Sequence, residues 1–270
     1  QGSDSKTARD KYLSYSGGAG DDYIETTSTA KYVNVYGDDG NDTFKIDGAG
    51  IDAYGGAGKN YMEGIGNSAL SMSGLYGGSD DDTIVSSGYN YYIHGGNGND
   101  NITLNAYQND PTKNTNSYVF GGNGDDVITI NGKTSCYMSG QEGNDTFYIN
   151  ANVGSVLGME GDDTFYIKDG VSVGMVDGGD GIDTIIASNP DQYYKLNIEK
   201  YEDKIPLSAT ISISGNATQT LKFGNYVYHV KNLRSSASIF TYTFNTTTNK
   251  FSFSGDYVEV TADDGQKDNI

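Results

Sequence analysis

Eight aspartates recur at positions where a carboxylate could ligate a metal: Asp22, Asp42, Asp82, Asp100, Asp126, Asp145, Asp163 and Asp183. Each is the sixth residue of a glycine-rich nonapeptide, whose cleanest copy runs Gly121-Gly122-Asn123-Gly124-Asp125-Asp126-Val127-Ile128-Thr129. Glycines this close together admit backbone angles that other residues resist. A tight turn can then aim its carbonyl oxygens at a common point, and the aspartate adds a carboxylate there. Hard oxygen donors of this kind suit a calcium ion. The closing Val127-Ile128-Thr129 is a short burst of strand formers whose middle member can face a core.

The elements that must position these turns are also legible. Nine copies begin at Gly17, Gly37, Gly55, Gly77, Gly95, Gly121, Gly140, Gly158 and Gly178, at intervals of 20, 18, 22, 18, 26, 19, 18 and 20 residues. The third copy is degraded, with Lys59 and Asn60 where acids stand elsewhere. The eighth position is always apolar: Ile24, Phe44, Met62, Ile84, Ile102, Ile128, Phe147, Phe165 and Ile185. A second apolar column lies two residues before each motif and reads Tyr15, Val35, Ala53, Leu75, Ile93, Val119, Met138, Val156 and Val176. Two inward columns flanking a glycine-aspartate turn describe one coil of a solenoid.

These stretches resemble the glycine- and aspartate-rich nonapeptides of the RTX family, the hemolysin-type calcium-binding repeats, over residues 16–187. The resemblance implies an all-β fold, a parallel β-roll (a right-handed β-solenoid). In that family, carbonyls from the first four turn positions and the sixth-position carboxylate bind Ca2+ between stacked turns. Carried over, the ligand set comprises the eight aspartates and turn residues Gly17, Ala19, Gly37, Asp39, Gly77, Ser79, Gly95, Asn97, Gly121, Asn123, Gly140, Glu142, Gly158, Glu160, Gly178 and Asp180. Many members repeat the motif every nine residues and carry calcium on both edges of the roll. Here a full motif recurs about every eighteen, and the intervening halves lack the acidic turn, so calcium is expected along one edge only. Nine turns leave eight gaps. An amide oxygen at Asn60 can still ligate, but Lys59 adds positive charge, and binding beside this turn is expected to be weak or absent.

Composition agrees. With 35% hydrophobic residues and 38 glycines, the chain suits a thin roll with a small core. Its formal charge of −19 opposes a compact state unless cations neutralise it. Nucleic acid is a poor partner for that field, because phosphate binding needs clustered Lys and Arg, and the seventeen here are scattered. Anionic membranes are unfavourable for the same reason, and no stretch approaches a transmembrane span. The chain begins Gln1-Gly2-Ser3 with no initiator Met or signal peptide, which reads as an excised fragment or a protein exported without an N-terminal signal. The resemblance implies type I secretion.

Catalytic signals fail. Gly170-Val171-Ser172-Val173-Gly174 matches the nucleophile-elbow string, but it lies inside the repeat period rather than in a strand-turn-helix. His94 and His229 lack Cys or Ser partners, and no HExxH occurs. Paired carboxylates such as Asp125-Asp126 suggest glycosidase chemistry, yet the repeat assigns the second of each pair to metal and leaves the first in a solvated turn. Ice binding would need a file of threonines on the turns, and the third motif position holds none. Tyr89, Tyr91 and Tyr92 fit half-exposed pleats better than a sugar-stacking platform. Cys136, the only cysteine, excludes an intrachain disulfide and reads as a small buried side chain.

Residues 1–15 read as a lead-in, 16–189 as the roll, and 190–270 as a β-rich cap or small antiparallel domain. Insertions at 63–76 and 104–118 fall in the halves without acidic turns, and 110–114 reads as a protruding loop. After Asn189-Pro190, residues 191–204 suit a short helix or a strand over the open end of the roll. Alternating runs at 209–214, 221–223, 226–230, 239–244 and 251–260 predict antiparallel strands. The expected function is a non-enzymatic calcium-binding module of a secreted bacterial surface protein, of surface-layer or adhesin type. Self-association into a lattice, or a cell-surface polysaccharide, is its expected partnership. The alternative is the carrier module of an exported epimerase, lipase or pore-former.

Overall fold

The computed structural model describes residues 2–8, 13–66, 72–106, 115–135, 137–168, 170–180, 183–187, 198–200, 208–213, 218–223, 226–236, 238–245 and 250–262. Cys136 and the 110–114 loop lie outside the described residues, as do most of residues 191–204. Every regular element described is a strand. Among the described residues no helix is long and apolar enough to cross a membrane.

The repeats wind into a parallel β-solenoid with two facing sheets. One sheet has eleven strands and contains the short strand after each motif, among them Tyr23–Thr26, Thr43–Ile46, Asn101–Leu104, Val127–Ile130, Thr146–Ile149 and Thr164–Ile167. The other has nine and contains the strand that runs into each motif, among them Lys31–Asp39, Tyr91–Asn97, Tyr118–Asn123 and Val153–Glu160. Each strand pairs with its equivalent one coil away, so like positions stack: Ile128 lies beside Ile102 and Phe147, and Val119 beside Ile93 and Met138. The insertions do not disturb this register.

The core is the two predicted columns facing each other. Ile24, Phe44, Met62, Ile84, Ile102, Ile128, Phe147 and Phe165 are fully buried on one side, and Val35 through Val176 on the other. Tyr15 is partly buried at the first coil. Period-two alternation puts these side chains inside and their neighbours outside. Glycines at 64, 66 and 88 leave a hole that Tyr91 fills: a methyl group on Gly88 would meet its ring at 2.4 Å. The Tyr91 hydroxyl donates to the Ile46 carbonyl (3.1 Å) and accepts the Gly66 N–H (2.8 Å).

Both ends extend the roll. Ser5–Ala8 pairs with Tyr23–Thr26, so the lead-in supplies an extra half-coil. Ile198–Lys200 pairs in parallel with Asp183–Ala187, a strand where the sequence allowed strand or helix. Beyond it are two three-stranded antiparallel sheets, Ser208–Ile213 with Ser238–Asn245 and Lys250–Gly255, and Thr218–Phe223 with Tyr226–Asn232 and Val258–Ala262. Tyr228, Val230, Phe240, Tyr242 and Phe251 are buried between them.

Candidate metal centre

The sixth-position side chains form a single file inside one edge of the roll. Asp22, Asp42, Asp82, Asp100, Asp126, Asp145, Asp163 and Asp183 are all nearly inaccessible to solvent. Each Oδ1 accepts a backbone N–H from the sixth position of the preceding coil. Asp82 N–H donates to Asp100 Oδ1 at 2.7 Å, Asp100 to Asp126 at 2.7 Å, Asp126 to Asp145 at 2.8 Å and Asp145 to Asp163 at 2.7 Å. Asp4, in the lead-in, donates to Asp22 in the same way. It stands eighteen residues before Asp22, a spacing that could have flagged it in the sequence.

The second oxygen is different. Oδ2 of all eight aspartates is buried and accepts no hydrogen bond. Each points at the first glycine of its own motif: a methyl group on Gly121 would lie 2.0 Å from Asp126 Oδ2 and 2.7 Å from the Gly140 carbonyl oxygen. The arrangement repeats at Gly17, Gly37, Gly77, Gly95 and Gly158, each with its own aspartate and the next coil's first-position carbonyl. Gly140 and Gly178 show the aspartate contact, with Asp145 and Asp183. A carboxylate oxygen and a carbonyl oxygen thus converge where only glycine leaves room.

Such an array is unfavourable in the absence of a cation. Burial disfavours the charged carboxylate, and like charges one coil away add to the effect. Burial first and neighbouring aspartates second push Asp100 and Asp163 up to about 8 and Asp126 and Asp145 to about 7. Asp82 and Asp183 rise to about 6, and Asp42 is also raised. A cation in the cradle would satisfy the orphaned oxygen and neutralise the file. Oxygen donors alone, one carboxylate with carbonyls, are what a hard divalent ion such as calcium takes.

The third-position residues Ala19, Asp39, Ser79, Asn97, Asn123, Glu142, Glu160 and Asp180 have exposed side chains, so only their carbonyls face the turn stack. Several of those carbonyls accept an N–H from the preceding coil, as Glu142 does from Gly124 (2.8 Å) and Asp180 from Gly161 (2.9 Å).

The fifth position does work that sequence reasoning missed. Its side chains are exposed, as expected, but they form a second ladder of opposite sense. Asn99 N–H donates back to Asp81 Oδ1, Asp125 to Asn99, Asn144 to Asp125 and Asp162 to Asn144, at 2.8–2.9 Å. The opposite edge of the roll uses amides: Asn131 Nδ2 donates to Asn105 Oδ1 (3.1 Å) and Asn150 Nδ2 to Asn131 Oδ1 (2.9 Å). An amide carries donor and acceptor together, so that column closes without a cation.

The family comparison agrees with the geometry. The model of the RTX calcium-binding nonapeptide repeat matches residues 76–106 and 114–129, in four copies. Four RTX repeats lie within these two stretches. They lie in the parallel β-solenoid, repeats of this family are named for calcium binding, and the remaining turns share their register beyond the matched residues. No curated protein matches the chain.

Other candidates fall away around the RTX turns. Val171 and Val173 are buried, and Val173 begins the coil strand Val173–Asp180, so the GxSxG string is no elbow. Tyr91 is core. Tyr92 joins a band of half-buried rings outside the nine-stranded sheet that includes Tyr36, Tyr54, Tyr76, Phe120 and Tyr137. Tyr36, Tyr54 and Tyr76 lie face to face at 5.0 and 4.8 Å, so the ring faces a sugar would need are covered by one another. His94 packs beside Phe120 at 6.2 Å, and burial holds it below its ordinary value.

Proposed function

We propose that this chain is a calcium-gated structural module of an exported bacterial surface protein of surface-layer or adhesin type. The observation that carries the reading is the file of eight buried carboxylate oxygens with no hydrogen-bond partner on one edge of the roll. Asp22, Asp42, Asp82, Asp100, Asp126, Asp145, Asp163 and Asp183 would hold the ions, with carbonyls from the first and third turn positions completing the shell. Bound calcium supplies positive charge that a buried carboxylate file lacks.

The gating follows from charge. At low calcium the acidic turns repel one another and the chain stays loose, a state suited to passage through a secretion channel. With millimolar calcium outside the cell, the sixth-position carboxylates would be neutralised and adjacent turns could stack, so that metal free energy would become folding free energy. The folded roll is then a rigid rod edged with acidic side chains, which suits lattice contacts or a cell-surface polysaccharide.

The alternative is a non-catalytic carrier for an exported enzyme or toxin. Sedimentation velocity of the chain, with calcium and with chelator, separates the two. Calcium-dependent growth into ordered oligomers supports the surface role. A chain that folds with calcium but stays monomeric contradicts it and favours the carrier.

A further inference from the structure

The junction between the third and fourth turns is built unlike the others. Asn60 holds the sixth position, is buried, and keeps the inner ladder: its Oδ1 accepts the Asp42 N–H at 2.9 Å, and its own N–H donates to Asp82 Oδ1 at 2.6 Å. Because a backbone N–H needs an acceptor, the side-chain oxygen is committed to Asp42, and the NH2 group must turn the other way. It lies where each aspartate places its orphaned oxygen. A methyl group on Gly55 would meet Asn60 Nδ2 at 2.5 Å and the Gly77 carbonyl at 2.1 Å. The NH2 donates to the Gly58 carbonyl at 2.9 Å. A donor therefore occupies the cradle and consumes one of its acceptors.

Two further links replace what a cation would do. Lys59 has no acceptor for the outer ladder, and its Nζ instead pairs with Asp81 Oδ2 at 2.6 Å. Gly58 N–H donates to Asp80 Oδ2 at 2.9 Å, where equivalent glycines donate to a third-position carbonyl. The preceding gap is intact, since Asp42 Oδ2 faces Gly37 and the Gly55 carbonyl.

We infer that the junction between the Asn60 and Asp82 turns is closed by protein groups alone and takes no cation, dividing the roll into two calcium-dependent blocks that meet at a metal-free junction. This inference rests on the calcium reading above. One gap is lost, and it is the one after Asn60, not the one before it. The joint holds its register when the neighbouring gaps are empty, so it gives the two blocks a common starting point as calcium rises.

The test counts bound calcium at saturation, by equilibrium dialysis, in the wild-type chain, Asn60→Asp and Lys59→Ala. Asn60→Asp is expected to bind one ion more than wild type, and Lys59→Ala the same number as wild type. Hydrogen exchange in chelator is expected to show the Thr83 amide, which donates to the Asn60 carbonyl, better protected than the Val127 amide in wild type. Equal, non-zero counts in wild type and Asn60→Asp overturn the inference. So does an extra ion in Lys59→Ala, which would make the lysine charge rather than the amide the block. Zero ions in every protein would overturn the calcium reading itself, a distinct result.

Discussion

Asp126 and Asp145 are joined by one half of a carboxylate. The Asp126 N–H donates to Asp145 Oδ1 at 2.8 Å, while Asp145 Oδ2, equally buried, accepts nothing and lies beside Gly140. One oxygen serves the fold and the other is left for a ligand. Substitutions should therefore separate the two roles.

Asp145→Asn preserves the ladder acceptor and puts an NH2 group in the cradle, as Asn60 does. It is expected to bind fewer calcium ions than wild type but to be no less stable in chelator. Asp145→Ala also removes the acceptor, orphaning the Asp126 N–H at a cost of about 1–3 kcal/mol. Calorimetry with calcium, and chemical denaturation in chelator at pH 5.5, where protonated carboxyls favour the folded roll, distinguish the pair; equal apo stability of the two variants contradicts the division of roles.

Gly121→Ala should fill a cradle. Its new methyl would sit 2.0 Å from Asp126 Oδ2 and 2.7 Å from the Gly140 carbonyl, so the turn must shift. Loss of about 1–3 kcal/mol is expected from overpacking, together with lower calcium occupancy. Gly2→Ala, which meets nothing within 4 Å, is the control and should change neither. Unchanged calcium binding by Gly121→Ala would remove the cradle from that glycine.

Acidity should act in opposite directions on the apo and loaded forms. Asp100 and Asp163 are raised to about 8, and Asp126 and Asp145 to about 7, above the ordinary aspartate value of about 3.9. A carboxyl whose folded value is raised contributes stability that is complete below its unfolded value and is lost as pH rises through the folded one. In chelator β structure is therefore expected to be lost at pH 8 and to be regained in part at pH 5.5, where the raised carboxyls are protonated. Calcium needs the deprotonated form, so its folding midpoint should move to higher concentration as pH falls from 8 to 5.5. A midpoint independent of pH contradicts a buried carboxylate file.

Tyr91→Phe tests the core apart from the metal. It deletes the bond to the Ile46 carbonyl and leaves the Gly66 N–H without its acceptor, an expected loss of about 1–3 kcal/mol at saturating calcium with no change in ion count. A changed ion count would tie this plug to the turns.

The roll was legible because its signals repeat. Ile128 and Val119 each announce a buried position once, and their equivalents in eight other coils fix the period. The antiparallel tail was legible from alternation, as at Ile239–Phe244. What sequence hid were relations between coils. Asn99 and Asp81 look like solvated turn residues, and only stacking shows that one accepts the other's N–H. Tyr91 reads as a half-exposed pleat residue until the glycines at 64, 66 and 88, two of them in other coils, open a hole for its ring. Asn60 reads as a weak ligand until the Asp42 N–H claims its oxygen.

The most direct test of the account is far-ultraviolet circular dichroism of the chain during a calcium titration from chelator, with magnesium as the control. Cooperative growth of β signal with calcium but not magnesium, at a midpoint raised in an Asp126→Ala, Asp145→Ala double variant, is the predicted result. A chain already fully folded in chelator, with no response to calcium, would contradict it.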